Sequence, residues 1–136
     1  MESINYLTDY ADYVPFDIAQ TLNAKGFDVV TEKSYFVGDG EKRYVKVGTF
    51  VNSPSNALHL IAAPTLAEAA KWLRKKHNKF CQITLHCDGE NYFYQIEIMD
   101  FGKYRYGVFV VDNHFVGNYE QALNKAIKQS LNLIKP

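Results

Sequence analysis

At 136 residues, with 47% hydrophobic and 22% charged side chains, the chain is long enough to bury a core without cross-links. Fifteen basic and fifteen acidic residues cancel, which excludes a protein-wide field for nucleic acid or anionic lipid and leaves only local patches. No apolar run approaches the ~20 residues of a membrane span, and two cysteines are too few for a disulfide framework.

Residues 1–14 carry Tyr6, Tyr10 and Tyr13 among Asp9 and Asp12, with Ile4, Leu7 and Ala11 at helical spacing. They read as a short helix or as a tail that docks by its tyrosines. Glu2, Asp9 and Asp12 stand where a secretory signal would be basic and then apolar, so the cytoplasm is the expected compartment. The first firm helix is predicted over 15–25. Pro15 suits a first turn, Asp17 favours the positive end of the dipole, and Ile18, Ala19 and Leu22 form one stripe. Gly26 supplies a left-handed stop, with Phe27 placed to fold back onto the last turn.

From 29 to 51 the pattern changes to strands. Segments 35–37 and 44–50 flank Gly38-Asp39-Gly40, which reads as a hairpin turn. A phosphate loop would need a helix start just after it, and none follows. Residues 52–56 form a loop and 58–61 a short strand. Thr65 and Glu68 then make a capping box behind Pro64, opening a helix with Leu66, Ala69, Ala70 and Leu73 buried and Trp72 on the border of that stripe.

Three strands follow. In 81–87, Cys81, Ile83, Leu85 and Cys87 alternate with Gln82, Thr84 and His86, and Asp88-Gly89 makes a turn. In 92–99, Tyr92, Tyr94, Ile96 and Ile98 alternate with Phe93, Gln95, Glu97 and Met99. In 104–111, Tyr104, Tyr106, Val108 and Val110 alternate with Arg105, Gly107, Phe109 and Val111. The last helix opens at Asn118 with Gln121 as its capping partner. Leu123, Ala126, Ile127, Leu131 and Ile134 share its buried stripe, and Lys125 and Lys128 are expected in solvent.

These elements predict a single α+β domain over 1–136, with an antiparallel sheet and helices packed chiefly on one face. Residues 15–62 supply a helix and hairpin, and 63–136 a helix, a three-stranded meander and a helix. Its 15% aromatic content falls mostly in strands, where half-buried rings pack well.

Few features carry chemistry. Lys71, Arg74, Lys75, Lys76 and Lys79 cluster with His77, as a phosphate-binding patch would require. The same cations also complement the negative end of a helix dipole. Helix–three strands–helix is the topology of double-stranded RNA-binding domains, but the second helix start, Asn118-Tyr119-Glu120-Gln121, lacks that family's basic cluster. Phe93, Arg105 and Phe109 on the mixed sheet face would either stack bases or pack on the N-terminal helix and hairpin.

The histidines at 59, 77, 86 and 114 include no i, i+4 pair. Cys81 and Cys87 lie about 20 Å apart along a regular strand, too far for a disulfide that needs Cα atoms within about 7 Å. His86 points away from both, so no shared metal site is expected. No catalytic residue and no cofactor motif emerges.

Phe16-Asp17-Ile18-Ala19-Gln20-Thr21-Leu22, Lys25-Gly26-Phe27-Asp28, Ala63-Pro64-Thr65-Leu66, Trp72-Leu73-Arg74 and Tyr119-Glu120-Gln121-Ala122-Leu123 together resemble small uncharacterised proteins of phages and mobile elements of gut anaerobes. The resemblance implies a mobile-element context, in which small accessory proteins are common, and assigns no site residue. The expected function is a non-enzymatic interaction module with a protein partner and no membrane. The alternatives are an RNA- or DNA-binding domain using the basic run, and a ligand binder or enzyme with a tyrosine-lined pocket.

Overall fold

The fold is α+β, and a computed structural model describes residues 2–3, 12–37, 43–53, 60–102 and 106–134 of it. The elements are β1 (Glu2–Ser3), α1 (Phe16–Ala24), β2 (Thr31–Val37), β3 (Arg43–Phe50), β4 (Leu60–Ala62), α2 (Leu66–His77), β5 (Lys79–Asp88), β6 (Asn91–Phe101), β7 (Tyr106–Phe115) and α3 (Tyr119–Asn132). Gly38-Asp39-Gly40, His59, Arg105 and most of the N-terminal helix or tail, 4–11, lie outside the described residues. The chain divides into two compact units, Met1–Glu68 and Ala69–Pro136.

The first unit holds an antiparallel sheet in the order β1-β3-β2-β4. Its helix α1 ends as its sequence dictates. Gly26 sits at φ +91°, the Phe27 N–H donates to Leu22 O at 2.9 Å, and the Gly26 N–H donates to Asn23 O at 3.1 Å. This double bond pattern closes the carbonyl end of the helix, and Phe27 and Leu22 bury their side chains beside it. The Tyr35 ring is buried edge-on to Phe16, and its hydroxyl donates to Val14 O. Asn52 ties a loop down by donating from Nδ2 to Phe27 O and accepting the Ala62 N–H.

Helix α2 begins at the expected box: the Glu68 N–H donates to Thr65 Oγ1 and the Thr65 N–H to Glu68 Oε1, at 3.1 and 2.8 Å. Trp72, expected at the edge of the stripe, is buried with Leu66, Ala69, Ala70 and Leu73. Asn78 ends the helix at φ +53°, a conformation Asn tolerates better than most side chains.

The second unit is a meander, β5-β6-β7, with α3 packed on one face. Gly89 and Glu90 form a two-residue loop between paired Asp88 and Asn91, and Gly89 at φ +65° supplies the positive dihedral that a tight hairpin requires. At α3, the Gln121 N–H donates to Asn118 Oδ1 at 2.7 Å and the Asn118 N–H to Gln121 Oε1 at 3.0 Å. All five predicted stripe residues of α3 and its C-terminal turn are buried. Ala122 and Ala126 close over Ile96, with Cys81, Ile83, Tyr94, Val111 and Phe115 packed around them.

Candidate functional site

Strands β5 and β6 pair without interruption, so opposed residues share a face. Cys81, Ile83, Leu85 and Cys87 stand opposite Ile98, Ile96, Tyr94 and Tyr92 on the α3 side. His86 stands opposite Phe93 on the other, open side. His86 is therefore turned away from both cysteines, as the alternation predicts. Cys81 is half-buried with its Sγ 3.5 Å from Ser130 Oγ, and burial pushes its thiol above the usual range despite that contact. Cys87 is exposed.

Strand β7 departs from regularity twice. Phe101 to Glu97 pair in step with Tyr106 to Val110, but Ile96 then meets Asp112 and Tyr94 meets Phe115. Two additional residues are thus accommodated in β7, and they re-aim its distal half. Asp112 and Phe115 fall on the α3 side, where Lys125 Nζ sits 2.9 Å from Asp112 Oδ2 and 5.4 Å from the Phe115 ring centroid. Lys125 is consequently tied to the sheet rather than merely solvated. The His114 backbone N–H, donating to Asp112 Oδ1 at 2.9 Å, is the main cause holding that carboxyl below its ordinary range, and Lys125 adds to it.

The predicted constellation Phe93, Arg105 and Phe109 does not assemble as one surface. Phe109 stands opposite Ile98, hence on the α3 side, whereas Phe93 is on the open side and Arg105 is outside the described residues. Phe109 instead lines a groove of about 270 Å³ with Ile98, Val110, Val111, Gln129 and Leu133. Nor is Phe93 available to stack a base. His86 from β5 covers one side of its ring at 5.3 Å and 13°, and His114 from β7 covers the other at 4.1 Å and 23°. His86 Nε2 is also hydrogen-bonded to Gln95 Oε1 at 3.0 Å.

The basic run is divided. Lys71, Arg74, Lys75 and Lys76 lie exposed on α2, in keeping with their place near its C-terminus. Lys79 is on β5, only 8% exposed, with Nζ 3.3 Å from Asp100 Oδ1. Its charge is spent within the sheet, so it does not belong to an external patch.

What the open face does present is apolar. Phe101 (41% exposed), Tyr106 (53%), Val108 (44%) and Val110 (54%) project there. Phe80 packs edge-on to Phe101 at 5.2 Å, and Phe101 lies 4.9 Å from Tyr106, so the rings are contiguous. This cluster was missed as a site, although the alternation of Tyr106, Val108 and Val110 was its signal. In the first unit, the depression lined by Tyr13, Lys33, Tyr35, Val45 and Ala63 has no room for a water molecule, and Tyr35 directs its hydroxyl to Val14. Among the described residues no three His, Cys, Asp or Glu side chains form a metal-binding group, and no helix is long and apolar enough to cross a membrane. No protein family, curated protein or solved structure matches the chain.

Proposed function

We propose that the chain is a small, non-enzymatic protein-interaction module whose binding surface is the open face of the β5-β6-β7 sheet. The supporting observation is the exposed set Phe101, Tyr106, Val108 and Val110 on one face, with half-buried Phe80 packed edge-on to Phe101. Two half-exposed rings alone contribute on the order of 200 Å² of apolar surface, and rimmed apolar patches of a few hundred Å² are characteristic of contact sites. Gln82, Gln95 and Glu97 lie beside it and supply the polar surroundings that orient a partner. Binding is attributed to protein rather than nucleic acid because Phe93 is covered on both sides and Lys79 is paired. A cytoplasmic accessory role in a mobile-element setting is part of the same proposal.

The test is capture from a lysate of the source cells on immobilised wild type and on Phe101→Asp, with circular dichroism confirming that both are folded. Discrete proteins retained by wild type and lost on Phe101→Asp are the expected result. Equal retention on both, or on neither, contradicts the assignment. A second reading keeps Lys71, Arg74 and Lys75, which share one exposed side of α2, as a phosphate-binding patch. It requires a mobility shift of RNA or DNA that weakens with salt and is lost when all three become Ala.

A further inference from the structure

We propose that the outer edge of β7 pairs with the same edge of a second copy, joining two three-stranded sheets into one continuous antiparallel sheet. The proposal rests on the reading of this sheet as an interaction surface and names one partner for it. Among the described residues β7 is bonded only to β6, so its other side carries backbone donors and acceptors with no ladder partner. Natural edges are usually blunted by lysine, proline or a bulge. In β7 both irregularities lie beyond Val110, and the stretch from Tyr106 to Val110 pairs residue for residue with β6.

The same stretch is self-complementary. Tyr106-Gly107-Val108-Phe109-Val110-Val111 contains no charge, so two copies meet without the repulsion that like charges opposite one another impose. A two-fold axis through Val108 keeps all five regular residues paired, setting Tyr106 opposite Val110 and Phe109 opposite Gly107 of the partner. The contact would bury roughly half of the ~800 Å² per partner found in standard interfaces, which makes the dimer weak and dependent on concentration.

Sedimentation equilibrium of the full chain from about 5 μM to about 500 μM tests this. The expected mass rises from 15.6 kDa towards twice that value. Val108→Lys places two ammonium groups at the axis and holds the chain monomeric throughout, whereas Val108→Thr associates as wild type does. In a Cys87→Ser background, Val108→Cys oxidised with diamide should give a disulfide-linked dimer, because opposed Cα atoms in antiparallel strands lie about 4.5–5.5 Å apart. Val47→Cys, more exposed than Val108 (74% against 44%) but on β3, should not. This trap also decides the matter if Val108→Lys fails to fold. Wild type that stays monomeric to the highest concentration, or a Val108→Cys protein that links no faster than Val47→Cys, overturns the proposal. If self-pairing fails while Phe101→Asp still abolishes capture of other proteins, the interaction reading survives without it.

Discussion

Gly117 is the position at which one added methyl group should disturb the second unit most. Its φ lies outside the left-handed region, so the requirement is for space and not for conformation. A Cβ there would stand 2.5 Å from Gln121 Oε1 and 2.7 Å from Phe115 Cε2. Gln121 must then leave the Asn118 N–H, which opens half of the α3 capping box, and Phe115 must shift against the Ile96, Ala122 and Ala126 core. Losing part of a cap costs about 0.5–1 kcal/mol and displacing a packed ring about 1–2 kcal/mol. The reduced entropy of the unfolded chain returns about 0.4–1 kcal/mol. Gly117→Ala should therefore destabilise by about 1–2 kcal/mol and lower Tm by roughly 4–8 °C in a thermal melt followed by circular dichroism. Gln121→Ala removes one of the two clashes, so the double variant should lose less than the sum of the singles by at least about 0.5 kcal/mol. A Gly117→Ala protein as stable as wild type, or strict additivity, would refute this description of the α3 entrance.

Lys79→Ala should destabilise by about 1–3 kcal/mol, because it strands Asp100 beside a buried position, while Lys75→Ala on exposed α2 should stay within about 0.5 kcal/mol in urea denaturation. For Asp112, the lowered carboxyl pKa means the native state holds its proton more weakly than the unfolded chain. Its contribution is complete above the unfolded pKa of about 3.9 and disappears as pH falls through the folded value. The stability difference between wild type and Asp112→Asn, less than about 1 kcal/mol near neutrality, should thus begin to shrink below about pH 4 and be lost once pH is below the folded value. In a disulfide-exchange assay near pH 8, Cys87 should react with a thiol reagent at least about tenfold faster than Cys81, which is half-buried and raised in pKa; equal rates would contradict the packing of α3 over β5.

What was legible in the sequence was local. Gly26 and Phe27, Thr65 and Glu68, and Asn118 and Gln121 act within five residues, and each forms the bonds its chemistry implies. The α3 stripe was equally readable, because helical period and burial coincide. The phase of β7 was not. Tyr106, Val108 and Val110 do alternate with Phe109, but which set meets the open face is decided by the pairing with β6, and a slip of one residue exchanges them all. The two irregularities near Asp112 belong to the distal pairing with β6, whose register no local motif in β7 announces. Lys79 looked like part of a basic run because Asp100, its partner, stands 21 residues away.

Site-specific photo-crosslinking in the source cells is the most direct test of the open-face reading. A benzophenone side chain at position 80 or 101 should yield discrete adducts with other proteins, whereas the same group at position 75 on α2 should yield none. Adducts from position 75 alone, with none from 80 or 101, would contradict it.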